Sequence, residues 1–380
     1  MQIIADENMP LVRELFAPLA KVRCLPGRSL TRADLEGADA LLVRSVTQVT
    51  PELLAGTPVR FVGTATIGTD HLDLPGLAAM GVTVASAPGC NALAVSEYVA
   101  TALLQLAHEQ GWRPAERCVG VVGLGNVGGA VASLLRRLGF RVLGCDPFLP
   151  QQTPEHGTLL DIDAVIDVAD IVCLHTPLTR EGDHPTWHLL DQQRLARLRP
   201  DCILLNAGRG AVIDNHALLN LLEHRQDLHA VLDVWEGEPL ILRELVGRVC
   251  LGTPHVAGYS QEGKWRGTAM VHEAFCQFFE QHPPVRMQDL ALPAGPLLHV
   301  PPGLSGTGLL AHLLGLVCPL QRDDAALRRA VAGPSPGAAF DALRRDYPAR
   351  HECASHPLQL PGVIKDDDAA LLVGAGFVLP

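Results

Sequence analysis

Three short segments of the chain carry the residue types that proton and anion chemistry needs. ILLNAGRG (203–210) sets Arg209 between Gly208 and Gly210, just after an apolar run. A guanidinium there can grip a carboxylate through two parallel N–H···O bonds, and its permanent charge can polarise a neighbouring carbonyl. VLDVWEGEP (231–239) supplies Asp233 at the end of a second apolar run and Glu238 just before Pro239; a third run, VCLGT (249–253), is followed by Pro254 and His255. If these runs are neighbouring strands, Glu238 and His255 emerge on adjacent loops, where a carboxylate can hold an imidazole in place. Oxidising a secondary alcohol needs such a base near neutral pH to take the hydroxyl proton. Singly, each residue has an ordinary structural explanation, since the chain holds 16 histidines. Their joint placement is what points to chemistry.

A fourth segment supplies a place for the hydride. Gly123-Leu124-Gly125-Asn126-Val127-Gly128 follows the apolar run CVGVV (118–122) and opens a helical pattern. In that context Gly123 permits a tight turn, Gly125 lets backbone approach a pyrophosphate, and Gly128 lets helix and strand pack closely. The next apolar run, RVLGCD (141–146), ends in Asp146. A carboxylate about 20 residues past the glycines can accept from both ribose hydroxyls and repels a 2′-phosphate, so NAD is favoured over NADP. Thr176 stands at another strand end facing the same crevice. The competing explanation is a glycine turn with no dinucleotide, which the strand, helix and Asp146 together disfavour.

Positioning these groups requires parallel sheets. Residues 1–90 alternate short β-rich runs with helical patterns, and 91–110 read as a long buried helix with no Gly or Pro. The strand–helix rhythm then restarts with nearly continuous apolar runs, as expected where helices cover both sheet faces. A helix at roughly 260–281 follows His255. The stretch 282–308 is rich in Pro and Gly, and 309–380 holds two or three helical patterns.

Composition narrows the function classes. With 48% hydrophobic and 19% charged residues, a 380-residue chain can bury a large core in two or three domains. The 30 basic against 41 acidic residues leave a net charge of −11, which opposes general nucleic-acid binding. The most apolar stretch, GLLAHLLGLVCPL (308–320), falls short of the roughly 20 residues a bilayer span requires, and acidic residues stand where a secretion signal would be basic. Ten cysteines, scattered with no Cys-x-x-Cys pair, suggest reduced thiols in the cytoplasm. His351, Glu352, Cys353 and His356 have spacing that fits no standard zinc pattern, so no metal is expected. His272 and His282 flank FCQFF (275–279), which reads as core.

In their order along the chain, these motifs resemble the D-isomer-specific 2-hydroxyacid dehydrogenases across about 1–285. The segments at 5–10, 41–49, 61–73, 89–99 and 255–270 are similar to a branch of that family acting on a phosphorylated four-carbon sugar acid. FDALRRDYPARHE (340–352) resembles that branch's own dimerisation domain. The resemblance implies an α/β protein with two Rossmann-like parallel-sheet domains and a C-terminal α+β dimerisation domain. The substrate domain would comprise 1–92 and 259–285, the NAD-binding domain 93–258, and the dimerisation domain 286–380. A homodimer with a small-molecule substrate and no membrane or nucleic-acid partner follows.

Carried over residue by residue, the resemblance makes Arg209 the carboxylate-binding catalytic arginine, His255 the acid/base and Glu238 its partner. Gly123, Gly125, Asn126, Val127 and Gly128 would meet the pyrophosphate and Asp146 the ribose. Thr176 and Ala207, Gly208 and Arg209 would line the cofactor's far half, with Asp233 at the nicotinamide carboxamide and Gly258 a further contact. Ser45, Thr66 and Tyr259 match substrate contacts. Arg44, Lys264 and Arg266 are the basic residues closest in sequence to those motifs and are candidates for a phosphate. Two other assignments compete: another dehydrogenase of the family, such as one acting on 3-phosphoglycerate, and a non-catalytic NAD sensor on the same fold. Residues near 90–100 and 258–270 are expected to hinge.

Overall fold

The computed structural model describes residues 1–380. They form two compact units, Met1–Asn91 with Ser260–Pro293, and Ala92–Tyr259 with Ala294–Pro380. No helix is long and apolar enough to cross a membrane.

In the first unit, strands β1 (Gln2–Asp6), β2 (Lys21–Leu25), β3 (Ala40–Val43), β4 (Phe61–Thr64) and β5 (Thr83–Ala85) form a parallel sheet in the order β2-β1-β3-β4-β5. The central strands are apolar runs buried between helices. β2 lies at the edge with Lys21 and Arg23 exposed, and that broken hydrophobic pattern is why the sequence reading passes over it. The Gln261–Phe278 helix packs on β4, where Gly63 leaves the room that Val271 occupies. Phe275 meets Phe16 and Phe61 edge-on at 5.4 and 5.7 Å, and His272 joins Phe16 at 5.0 Å.

The second unit is built on β6 (Cys118–Val122), β7 (Arg141–Cys145), β10 (Ile171–Leu174), β11 (Ile203–Asn206), β12 (His229–Leu232) and β13 (Leu251–Gly252). A small hairpin, β8 (Gln152–Thr153) with β9 (Gly157–Thr158), interrupts the series and has no apolar signature in sequence. All six main strands are parallel, ordered β13-β12-β11-β10-β6-β7. The chain leaves β6 for β7 on one side and reaches β10 on the other, which opens a crevice at the carboxyl ends of β6 and β10.

The tail expected from 286 as a third, dimerising domain lies within this second unit from Ala294 onward. It holds four helices, Gly306–Val317, Leu320–Ala332, Pro336–Arg345 and Asp366–Ala375, where two or three were expected. Its only strands, β14 (Leu298–His299) and β15 (Leu358–Gln359), are two residues each. The tail's apolar faces share the second unit's core. Leu309, Leu313 and Leu372 pack with Tyr98, Leu103 and Leu134, while Leu327 and Phe340 pack with Trp235.

Candidate active site

The glycine loop after β6 has the geometry that a dinucleotide requires. Gly123 takes a left-handed φ of 84°, and a Cβ there would lie 2.9 Å from the Thr176 methyl and 3.0 Å from the His175 carbonyl. A Cβ on Gly128 would collide with the carbonyl oxygen of Gly123. Gly125 faces open space, with nothing within 4 Å of a would-be Cβ. It precedes the Asn126–Arg137 helix, whose N-terminus has no side-chain cap, so its leading N–H groups are available to an anion. Asp146, just past β7, accepts from the N–H of Leu124 at 2.8 Å and from that of Phe148 at 3.0 Å. A carboxylate has about four acceptor directions, so this one is held in place with capacity left for ribose hydroxyls. Thr176 Oγ1 is buried with no hydrogen-bond partner. These residues fit NAD.

Arg209, Glu238 and His255 follow β11, β12 and β13, which are consecutive in the sheet; Asn206 pairs with Leu232 and Leu232 with Gly252. Their loops are interlocked. The Asn206 amide accepts from Gly208 N–H at 3.0 Å and donates to Arg209 O at 2.9 Å, closing the turn that carries the guanidinium. Gly210 rests directly on the backbone of Trp235 and Glu236, where no Cβ fits. The Trp235 indole donates to Thr253 O at 3.0 Å, tying the loop after β12 to the end of β13.

Asp233 holds the His255 turn from below. Its carboxylate accepts from Thr253 Oγ1 at 2.6 Å and from the N–H groups of Val256 and Ala257 at 2.8 and 2.9 Å, and its carbonyl accepts from His255 N–H at 2.7 Å. Tyr98 supports Thr253 through a 2.7 Å hydroxyl contact. Burial pushes the Asp233 carboxyl up, against the opposing pull of His255 and these donors. Within this clamp His255 adopts a left-handed φ of 57°, a conformation uncommon for non-glycine residues.

His255 Nδ1 lies 2.8 Å from Glu238 Oε2, and Glu238 Oε1 accepts from Trp235 N–H at 2.8 Å. Burial would raise the Glu238 carboxyl, but His255, the Trp235 N–H and Arg344 outweigh it and hold the group below its ordinary value. An ionised carboxylate only accepts hydrogen bonds. Nδ1 must therefore carry the proton, which leaves the lone pair of the neutral ring on Nε2. The sheet thus carries an imidazole with a free Nε2 lone pair, the Arg209 loop two strand ends away, and the glycine loop that fits a dinucleotide.

Ala207, Gly208, Gly258 and Tyr259 belong to the same unit, and the Tyr259 ring meets Tyr347 edge-on at 5.8 Å. Ser45 and Thr66 belong to the first unit: Ser45 is exposed beyond β3, and Thr66 Oγ1 contacts Thr64 Oγ1 at 2.7 Å and donates to Gly68 O at 2.9 Å. Arg44 and Arg266, of the same unit, donate to the carbonyls of Asn8 at 3.4 Å and Cys90 at 2.8 Å. The cluster near 351–356 is taken up by packing, with Cys353 N–H donating to Glu97 and the His356 ring bonding Pro296 O at 2.9 Å. Asn206, Trp235, Thr253, Tyr98 and Arg344 escape the sequence reading. Of these only Asn206, beside Gly208 in a strand-end turn, carried a local signal.

Residues 93–257 match the family model described as the NAD-binding domain of D-isomer-specific 2-hydroxyacid dehydrogenases. The chain is 50% identical over 373 residues to an erythronate-4-phosphate dehydrogenase of Azotobacter vinelandii, covering 95% of this chain and 96% of that one. It is 49% identical over 383 residues to a protein of the same name from Pseudomonas aeruginosa (strain UCBPP-PA14), covering 100% of both. Among solved structures, NAD⁺-bound 3-phosphoglycerate dehydrogenase from Entamoeba histolytica is similar with a TM-score of 0.63 and 22% identity, over 74% of this chain and 95% of that one. That likeness concerns the fold.

Proposed function

The chain belongs to the erythronate-4-phosphate dehydrogenase family of D-isomer-specific 2-hydroxyacid dehydrogenases, and on that premise we propose that it oxidises 4-phospho-D-erythronate to 2-oxo-3-hydroxy-4-phosphobutanoate with NAD, a step towards pyridoxal 5′-phosphate. The observation that carries this reading is the 2.8 Å Glu238–His255 pair, one strand end away from the loop of Arg209.

Arg209 binds the substrate carboxylate, and its fixed charge polarises the carbonyl that forms as the hydroxyl is oxidised. His255 Nε2 takes the hydroxyl proton, and Glu238 stabilises the imidazolium that forms. NAD, when bound, supplies the acceptor for the C2 hydride. The N–H groups at Asn126 and Val127 hold its pyrophosphate and Asp146 its ribose, with Gly123, Gly125 and Gly128 giving the backbone the necessary approach. Thr176, Ala207, Gly208, Arg209, Asp233 and Gly258 serve its nicotinamide half. Ser45, Thr66 and Tyr259 contact the substrate.

We infer in addition a homodimer formed through the tail. Leu297 and Leu316 stand half-exposed beside an apolar groove of about 650 Å³ lined also by Val300, Pro302 and Leu360. Ten free cysteines, singly placed, support a cytoplasmic protein.

Purified protein with NAD and either 4-phosphoerythronate or 3-phosphoglycerate, followed by NADH absorbance with His255→Ala as control, tests the activity. Turnover confined to 4-phosphoerythronate is the expected result. Turnover of 3-phosphoglycerate alone would replace the substrate, and NAD binding without turnover of either would favour a sensor.

A further inference from the structure

The proposed substrate carries a phosphate dianion, and the chain that must bind it has a net charge of −11. A cation placed for the purpose is required. The tail brings one to the catalytic loops. The Pro336–Arg345 helix sits against the residues that follow Glu238: a Cβ on Gly337 would lie 2.9 Å from Leu240 Cδ2 and 3.7 Å from Pro239 Cγ. Phe340, fully buried, packs in the same core as Trp235. Gly337, Phe340 and Arg344 recur at helical spacing, so the face seated on Glu238's loop also carries Arg344.

Arg344 hydrogen-bonds the Tyr259 side chain and lies within Coulomb range of Glu238 and Asp233. Its Nε is buried with no hydrogen-bond partner, an arrangement that costs the desolvation of a charged donor until an acceptor completes it. The orientation of Glu238 is already set without it, by Trp235 N–H on one oxygen and His255 Nδ1 on the other. Tyr259 is fixed by the tail as well: Tyr347 meets its ring edge-on and donates its own hydroxyl to Asp323 at 2.6 Å, with Arg322 over the Tyr347 ring. Arg344 and Tyr259 are therefore pre-positioned as a pair beside the catalytic carboxylate.

We propose that Arg344 and Tyr259 form an anion subsite of the active site, supplied by the C-terminal tail, which takes the phosphate monoester of the substrate. The assignment rests on the function proposed above. It gives the tail a part in substrate selection, and it shifts phosphate recognition away from Arg44, Lys264 and Arg266.

The test compares wild type, Arg344→Gln and Arg344→Lys on 4-phospho-D-erythronate and on D-erythronate. The expected result is a fall of at least tenfold in the ratio of kcat/KM for the phosphorylated over the unphosphorylated acid in Arg344→Gln, the loss falling on KM, with partial recovery in Arg344→Lys. Equal losses on both acids, or a fall in kcat at constant KM, would assign Arg344 to support of Glu238 and overturn the subsite. Calorimetric titration of inorganic phosphate into the NAD-loaded protein keeps the two proposals separable. Weaker phosphate binding in Arg344→Gln supports the subsite even if wild type fails to oxidise 4-phospho-D-erythronate, and identical binding overturns it.

Discussion

His255 sits in a left-handed backbone conformation that few non-glycine residues adopt, and the side chains around it explain how it stays there. Asp233 accepts three hydrogen bonds from Thr253, Val256 and Ala257, so the turn is determined from inside the protein and the imidazole is delivered to Glu238. His255→Gln removes the base and is expected to lower kcat about 10²- to 10⁴-fold, measured by NADH formation at saturating substrate. Glu238→Gln leaves a neutral amide beside the imidazolium, and kcat falls again. The same variant has a signature in stability. The Glu238 carboxyl sits below its ordinary value of 4.5 in the folded chain, so its contribution is fully present above that pH and is lost on acidification through the folded value. Thermal unfolding should show a steeper acid limb for wild type than for Glu238→Gln; parallel limbs would refute the ion-pair account. The proposed trio of Arg209, Glu238 and His255 was legible in sequence because each member stands at the end of an apolar run. Its supports were not, because Thr253, Trp235 and Tyr98 act through partners that the fold brings from elsewhere.

At the scale of elements, the proposed catalysis depends on three adjacent strand ends kept in register by backbone contact. Gly210 is the tightest point, since its Cα lies against the Trp235–Glu236 peptide. Gly210→Ala must push the Arg209 loop off the Glu238 loop. A displacement of about 1 Å can cost roughly 10²-fold in rate, so kcat/KM should fall by that order while the protein still folds, as circular dichroism would verify; wild-type kinetics would show that the loops are not coupled. The central strands and the glycine loop could be read directly from the chain, whereas β2 and the β8–β9 hairpin could not. An edge strand with Lys21 and Arg23 outward lacks the continuous apolar pattern that betrays a strand buried on both faces.

In the second unit as a whole, the tail acts as a brace. Arg350 donates to Ala257 O at 2.6 Å, two residues past His255, as well as to Ala94 O and Cys318 Sγ. Cys353 N–H donates to Glu97 at 2.8 Å. Burial foremost, and then the charge of Glu352, push the Glu97 carboxyl from 4.5 up to about 8. The folded chain therefore holds a proton that the unfolded chain has released, and stability declines as pH rises from 4.5 towards 8. Glu97→Gln should flatten that decline in calorimetric melting temperature, and an unchanged slope would place the titration elsewhere. The tail's outer side carries the apolar groove, and Leu297→Arg with Leu316→Arg should reduce the sedimentation coefficient to that of a monomer. A variant sedimenting like wild type would exclude this face as the dimer contact.

Residue types and their spacing were enough for the fold class and for the residues proposed as nucleotide cradle and catalytic trio, because those features depend on local order: glycines at a turn, a carboxylate at a strand end, apolar runs that must be buried. Three-dimensional packing alone decided that the tail shares the second unit's core and that Arg344 and Arg350 reach the catalytic loops. It also decided which buried carboxyl keeps its proton. These outcomes depend on pairs separated by up to 256 residues, such as Glu97 with Cys353, and on the low dielectric of a shared interior, which no local pattern encodes.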